Sequence, residues 1–456
     1  MNKNANTAGP ALLGHPDLVA AITEEIRASG PITFARFMEL ALYHPRFGYY
    51  TRLETGADAE ADTPGGIGED RIGWGGDYFT GSDVHPVLAQ ALARQVGQMD
   101  DLLGRPDPLT IIEMGAGKGT LARDFLTACA KEPGGVFDRL RYMIIERSPA
   151  MQAAQRAALV PWLGQSGRVA WVSQLDELSA GSLVGVVLSN ELVDAFPVHR
   201  LRIEQGEPKE VYVDCQGGRF YERVGPLSSP ALKEQLRRLD LSLPEGYTTE
   251  VNLEALAWMK GVAQVLGRGF VITIDYGHTA RDLYGPDRQR GTLLCYHHHL
   301  VSEDPYTRVG VQDMTAHVDF TSLAAVGEES GLHVTGFTNQ MSFLMGLGVE
   351  QLLESLEPGS AELQSVVQLI RPEGMGRTFK ILIQHKGVAE PQLAGLRFKP
   401  FFDEALSGST SGQGSVVSEE MRMWSGDRGQ GSVTTSAGDQ ADHLSSRNHR
   451  PLTTDH

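Results

Sequence analysis

The chain has 456 residues, 41% hydrophobic and 7% aromatic, enough for one large α/β core with insertions. Its formal net charge of -17 argues against sequence-independent nucleic-acid binding, which relies on basic surface, and no apolar run is long enough to span a membrane. Three scattered cysteines, Cys129, Cys215 and Cys295, form no pair at redox or metal spacing, as expected in a reducing compartment.

Residues 1–10 are polar, with neither a signal-peptide apolar region nor an Arg-rich presequence, so a bacterial-type cytoplasmic residence is expected. Leu18, Val19, Ile22 and Ile26 recur at helical spacing and predict a helix over about 16–30. Pro31-Ile32-Thr33 breaks it, and a second helix runs through Phe34, Phe37, Met38 and Leu42 until His44-Pro45. Residues 54–76, rich in Gly, Asp and Ala, read as a flexible insertion, and a further helix is predicted over 86–103. The expected division is therefore an N-terminal helical segment over 1–105, a catalytic core over 106–390 and an extension over 391–456. The last is polar enough from about residue 407 to be expected disordered.

Within the core, short apolar runs predict strands at 109–113, 142–146, 169–172, 184–188, 270–274 and 378–385. Helical patterns separate the earlier of these, which implies a buried, mostly parallel, doubly wound Rossmann-like α/β sheet. Runs at 198–203 and 210–213 suggest an inserted hairpin, and helical stretches near 253–266 and 345–370 suggest sheet cover or a cap.

The most informative stretch is Ile111-Ile112-Glu113-Met114-Gly115-Ala116-Gly117-Lys118-Gly119-Thr120. Glycines let such a turn adopt positive φ and let a ligand approach the backbone. The dinucleotide fingerprint spaces its glycines G-x-G-x-x-G, whereas here the third, Gly119, comes one residue early. An acid at Glu113 would repel pyrophosphate but suits the ammonium of a methionine moiety. Ile112 stands where a P-loop needs its first glycine. S-adenosylmethionine (SAM) therefore fits better than NAD or ATP. Glu146, at the end of the second strand, could accept hydrogen bonds from both ribose hydroxyls or merely cap the next helix. Asp176, after the third strand, is a candidate contact for the adenine amino group.

Further stretches resemble one family. They are Tyr43-His44-Pro45 with Gly48-Tyr49-Tyr50, Gly76-Asp77-Tyr78-Phe79-Thr80, the glycine turn, and Ser189-Asn190-Glu191-Leu192-Val193-Asp194-Ala195-Phe196-Pro197. Asp275-Tyr276-Gly277, Gly291-Thr292-Leu293, Asp313-Met314-Thr315-Ala316-His317-Val318-Asp319-Phe320 and Gly376 with Phe379-Lys380 complete the series, in order over about 32–385. Together they resemble the MidA-type SAM-dependent methyltransferases, whose mitochondrial members are arginine methyltransferases that assist assembly of respiratory complex I. The resemblance implies a class I SAM-methyltransferase core with an N-terminal helical segment and inserted cap elements. It also implies a protein substrate, such as a respiratory-complex subunit, and no metal. One departure stands out: Asp83 takes the place of the family's glutamate after the Gly-Asp-Tyr-Phe-Thr element, one methylene shorter.

By that analogy the catalytic acids are Glu191, Asp194 and Asp83, since two carboxylates can hold a guanidinium fork. Cofactor contacts are expected from Glu113, Gly115, Gly117, Gly119, Glu146, Asp176 and Asn190, the last either touching cofactor or orienting Glu191. Asp275 and Tyr276 are expected to line the acceptor side. His317 and Asp319 either close over the acceptor or fix a loop by hydrogen bonds. Consecutive histidines, His297-His298-His299 beside Cys295, invite a metal reading but cannot all face one ion. A small-molecule methyltransferase and a SAM-binding assembly factor without turnover stay open as alternatives, and an NAD oxidoreductase is disfavoured by the glycine spacing.

Overall fold

A computed structural model describes residues 14–52, 81–131, 135–164, 167–398 and 406. The 54–76 insertion, the 76–80 element and the tail from 407 lie outside the described residues. The central sheet uses β1 (Leu109–Met114), β2 (Leu140–Ile145), β3 (Val169–Val172), β4 (Leu183–Asn190), β5 (Leu266–His278), β6 (His333–Asn339) and β7 (Phe379–Lys386). Their order is β3-β2-β1-β4-β5-β7-β6, with β7 antiparallel to both β5 and β6 and the other pairs parallel. The expectation of a doubly wound Rossmann-like sheet is borne out.

The continuous apolar runs make sense because both faces of the sheet are covered. Ile111, Val186, Leu188 and Ile272 point into a core shared with helices Val87–Leu102 and Thr120–Ala130. Ile112, Val187 and Val271 point into the opposite core, under helices Leu253–Val265 and Phe320–Glu329. The strand order reverses between β1 and β4, so the crevice beyond their carboxyl ends is where such sheets bind ligands. Neighbouring backbones come close just below: a Cβ on Gly185 would lie 1.8 Å from the Thr110 carbonyl oxygen, so only glycine fits there.

The predicted hairpin is part of a larger antiparallel sheet. His199–Glu204, Glu207–Gln216, Arg219–Gly225 and Thr248–Val251 join the two-residue strand Ile32–Thr33. The N-terminal helices Pro16–Ser29 and Phe34–Tyr43 pack on this sheet through Ile22, Phe37, Val213 and Phe220. Helix Val87–Leu102 does not join them, because its apolar face fills the central core. The grouping of 1–105 as one helical segment is thus divided by the packing. A third sheet, Leu294–His297, Leu300–Ser302 and Asp313–Thr315, was not predicted. The 345–370 stretch is three helices, Gln340–Gly346, Val349–Ser355 and Ala361–Ile370, interrupted at Gly348 and Gly359, both with φ of +83°.

A candidate cofactor and acceptor site

The turn leaving β1 has all three glycines at positive φ: Gly115 at +74°, Gly117 at +51° and Gly119 at +84°. A Cβ on Gly115 would meet Leu192 Cδ1 at 2.9 Å, so this glycine lets the turn lie against the loop after β4. Glu113 is only 2% exposed, and burial pushes its carboxyl up to about 7 although the Tyr142 hydroxyl donates to it at 2.8 Å. It is buried beneath the strand end, committed to Tyr142, which suits an indirect or water-mediated role toward an ammonium.

Glu146 accepts from the Ser148 backbone N–H at 2.7 Å, from Gln155 Nε2 at 3.1 Å and from the Arg147 backbone. Both its oxygens still have lone pairs for ribose hydroxyls. Burial raises its pKa. Gln155 is the residue that sequence reasoning missed. It is fully buried; its Nε2 also donates to the Gly117 carbonyl at 2.9 Å, and its Oε1 accepts from Trp171 Nε1 at 2.9 Å. One amide thus ties the glycine turn to the acid at the next strand end. Gln155→Leu should weaken SAM binding about tenfold, the worth of one lost charge-assisted bond, as measured by titration calorimetry. An unchanged Kd would mean that the turn holds its shape without this amide. Asp176 sits exposed in the short turn Leu175–Glu177 after β3.

The acids expected on the acceptor side gather at the loop after β4. Glu191 adopts φ of +52°, a conformation costly for a residue with a Cβ, and its N–H donates to the Ile274 carbonyl at 3.0 Å. Its Oε1 accepts from the Gly81 backbone N–H at 3.1 Å and from Asn190 Nδ2 at 3.2 Å, and its Oε2 accepts from the Tyr276 hydroxyl at 2.6 Å. Burial raises its pKa to about 7 against those bonds. Asp194 is 4% exposed and is pushed well above the usual carboxylate range by burial, then by the charges of Asp275, Glu191 and Asp313. Among the described residues neither Glu191 nor Asp194 makes an ion pair, and Asn190 Oδ1 is buried without a partner.

Asp275 differs from expectation. It is fully buried, and Oδ2 accepts from the backbone N–H groups of Leu192, Val193 and Asp194 at 3.2, 2.8 and 3.3 Å. Oδ1 accepts from the Tyr276 N–H at 2.9 Å. With both oxygens engaged by backbone, Asp275 holds the 192–194 loop. Its pKa rises to about 7 through burial. Tyr276 does face Glu191. Asp83 lies in the short helix Gly81–Val84, near enough for its charge to raise the pKa values of Glu191 and Arg123. The direct contact with Glu191 nevertheless comes from the Gly81 backbone.

Asp319 also differs from the closing role. It caps helix Phe320–Glu329, its Oδ1 accepting from the Ser322 N–H at 3.0 Å and its Oδ2 from the Ser322 hydroxyl at 2.6 Å. His317 lies against His278, ring centroids 5.2 Å apart. His298 and His299, at φ of +47° and +59°, form the turn between two strands of the third sheet. Among the described residues no three His, Cys, Asp or Glu side chains converge as metal ligands would.

The turn carries three glycines at positive φ, Glu146 is held at the end of β2, Asp176 is exposed after β3, and Asn190 Oδ1 is buried without a partner. These features suit SAM. This strand order with this turn defines a class I SAM-dependent methyltransferase. The family model described as "Putative S-adenosyl-L-methionine-dependent methyltransferase" matches residues 91–338, and the chain belongs to that family. It is 31% identical to a "likely methyl transferase" from Burkholderia thailandensis, solved bound to S-adenosyl-homocysteine. The TM-score is 0.73, and the alignment covers 84% of this chain and 95% of that one. It is also similar to the mitochondrial protein arginine methyltransferase NDUFAF7 homolog of Drosophila melanogaster, 26% identical over 83% of this chain and 87% of that protein. The human NDUFAF7 is 25% identical over 79% and 82%. SAM is the cofactor of this enzyme. No helix among the described residues is long and apolar enough to cross a membrane.

Proposed function

We propose that this methyltransferase methylates an arginine guanidinium nitrogen of a protein substrate, in a bacterial-type cytoplasm, with a respiratory-complex subunit as the expected acceptor. The observation that carries the reading is the pair of carboxylates, Glu191 and Asp194, held at the end of β4 beside the cofactor turn with raised pKa values and no cationic partner among the described residues. A permanently charged planar fork offsets their repulsion and accepts their geometry. The relatives named above as arginine methyltransferases support the same choice.

Bound SAM supplies an electrophilic methyl group. Glu191 and Asp194 hold the guanidinium by its N–H groups and aim one nitrogen at that methyl. The nitrogen must shed a proton as it is alkylated, and Glu191, poised near neutrality with Tyr276 on its other oxygen, accepts it. Asn190 fixes the carboxylate. Because Glu191 must be ionised to bind the cation and take the proton, kcat/KM should rise about tenfold per pH unit below about 7 and level off above it. A flat profile from pH 6 to 8 would remove Glu191 from this role. The decisive experiment incubates the protein with labelled SAM and a protein extract, then analyses hydrolysed product. Methylarginine is expected. Label confined to another side chain, or to small molecules, would overturn the assignment.

A further inference from the structure

Beyond the two acids, the structure holds a cationic cavity that the methyl-transfer chemistry does not use. It encloses about 630 Å³, and its charged lining is Arg200, Arg202, Arg288, Arg290, Asp287 and Glu303, beside His317. In a chain of net charge -17 such a cluster is out of character. Most of it is internally balanced: Arg200 and Arg202 share Glu222, and Arg290 pairs with Glu303 at 2.8 Å. Arg288 is the exception. Among the described residues it makes no ion pair; its Nη1 donates to the Asp282 carbonyl at 2.5 Å and its Nη2 to His278 Nε2 at 3.1 Å. The two imidazoles beside it cannot balance it either. Burial, then the Arg288 charge, holds His278 at about 3 and His317 at about 4, so both are neutral at working pH.

The cavity adjoins the acceptor site through two connections. His278 follows Tyr276 by two positions on β5, on the same face and about 7 Å along the strand. Ala316, next to His317, donates its N–H to the Asp194 carbonyl at 2.9 Å. Two residues of an extended peptide cover the same distance.

We propose that the cavity takes an acidic side chain of the acceptor protein, an Asp or Glu about two residues from the methylated arginine. Arg288 is the group that receives it. The inference rests on the arginine reading for the position of the peptide, but not for the charge the cavity selects. Acceptor and enzyme would then exchange charges in both directions: the peptide arginine meets Glu191 and Asp194, and the peptide acid meets Arg288. Such pairing fixes register as well as affinity.

The test uses two fluorescent nonapeptides that differ only in Asp or Asn two residues from a central arginine, with S-adenosylhomocysteine present. The Asp peptide should bind at least about tenfold more tightly by anisotropy. Arg288→Gln should bring its Kd to that of the Asn peptide, and Arg288→Lys should restore part of the difference. S-adenosylhomocysteine binding by each variant checks that the fold is intact. Equal Kd values for the two peptides, no binding by either, or an Asp preference that survives Arg288→Gln would each overturn the proposal. If SAM replaces S-adenosylhomocysteine and the Asp peptide binds by the expected preference but gains no methyl on arginine, the arginine reading falls and the anion site stands.

Discussion

Glu191→Gln should lower kcat for methyl transfer by about 10²–10⁴-fold while making the ligand-free protein more stable at pH 8. The two effects share one cause. Glu191 occupies a left-handed backbone position, with its carboxylate shut between Tyr276, Gly81 and Asn190. Burial raises its pKa from 4.5 to about 7, so the folded protein holds the proton more tightly than the unfolded chain does. Stability from that difference is complete below about pH 4.5 and is lost as pH rises through about 7. At pH 8 the wild-type fold therefore carries an ionised carboxylate in a site that disfavours it. Glutamine keeps an oxygen for Gly81 and Asn190, puts an NH2 opposite the Tyr276 hydroxyl, which can turn to accept from it, and discards the charge. The expected gain is about 1–3 kcal/mol at pH 8, fading toward pH 5, as read from urea unfolding at the two pH values. A gain of equal size at both pH values, or activity within tenfold of wild type, would mean that the charge of Glu191 is neither costly nor used. Sites that must receive a cation are expected to be unstable when empty.

What could be read from the sequence follows from where the chemistry is local. The strand-turn-helix around Glu113 and Gly119 declares itself because the glycines and the strand lie within ten residues and allow only a few backbone paths. The 189–197 loop was legible only through its resemblance to a known family, since an acid-bearing loop after a strand has no such backbone constraint of its own. The direction in which a side chain points was less so. Asp275 ends a strand, and alternation alone does not say that its carboxylate turns back to three amides more than eighty residues earlier. Gln155 sits in a helix among alanines, with nothing nearby to mark its three distant partners. Asp319 could have been read as a cap, since an Asp directly before the apolar positions Phe320, Leu323 and Ala324 is a helix-start signal. β6 escaped because His333–Asn339 is mostly half-buried at a sheet edge, with a glycine inside and no continuous apolar run. The cationic cavity draws on arginines from segments about ninety residues apart, so only folding assembles it.

The largest stability effect is expected at Asp275, whose carboxylate is turned to the loop after β4. Its Oδ2 collects three consecutive backbone N–H groups, the arrangement a helix N-terminus offers an anion, here used to hold Glu191 and Asp194 in place. Asp275→Ala leaves those donors buried and unpaired. At about 1–3 kcal/mol each, with some recovered by entering water, the loss should reach about 3–5 kcal/mol. Asp275→Asn keeps an oxygen of the same shape at one of the two positions and removes a charge that repels Asp194 and Glu191, so it should cost only about 1–2 kcal/mol. Both should slow methyl transfer, about a hundredfold or more, because a displaced loop misplaces the groups that hold the acceptor. Urea unfolding gives the ranking, and hydrogen exchange at Leu192, Val193 and Asp194 locates it. If alanine and asparagine cost the same, or if those amides stay protected in the alanine variant, the loop is held by its packing and not by this carboxylate. The repulsion among Asp275, Asp194 and Glu191 would then have no structural return, and only the cation they await could account for it.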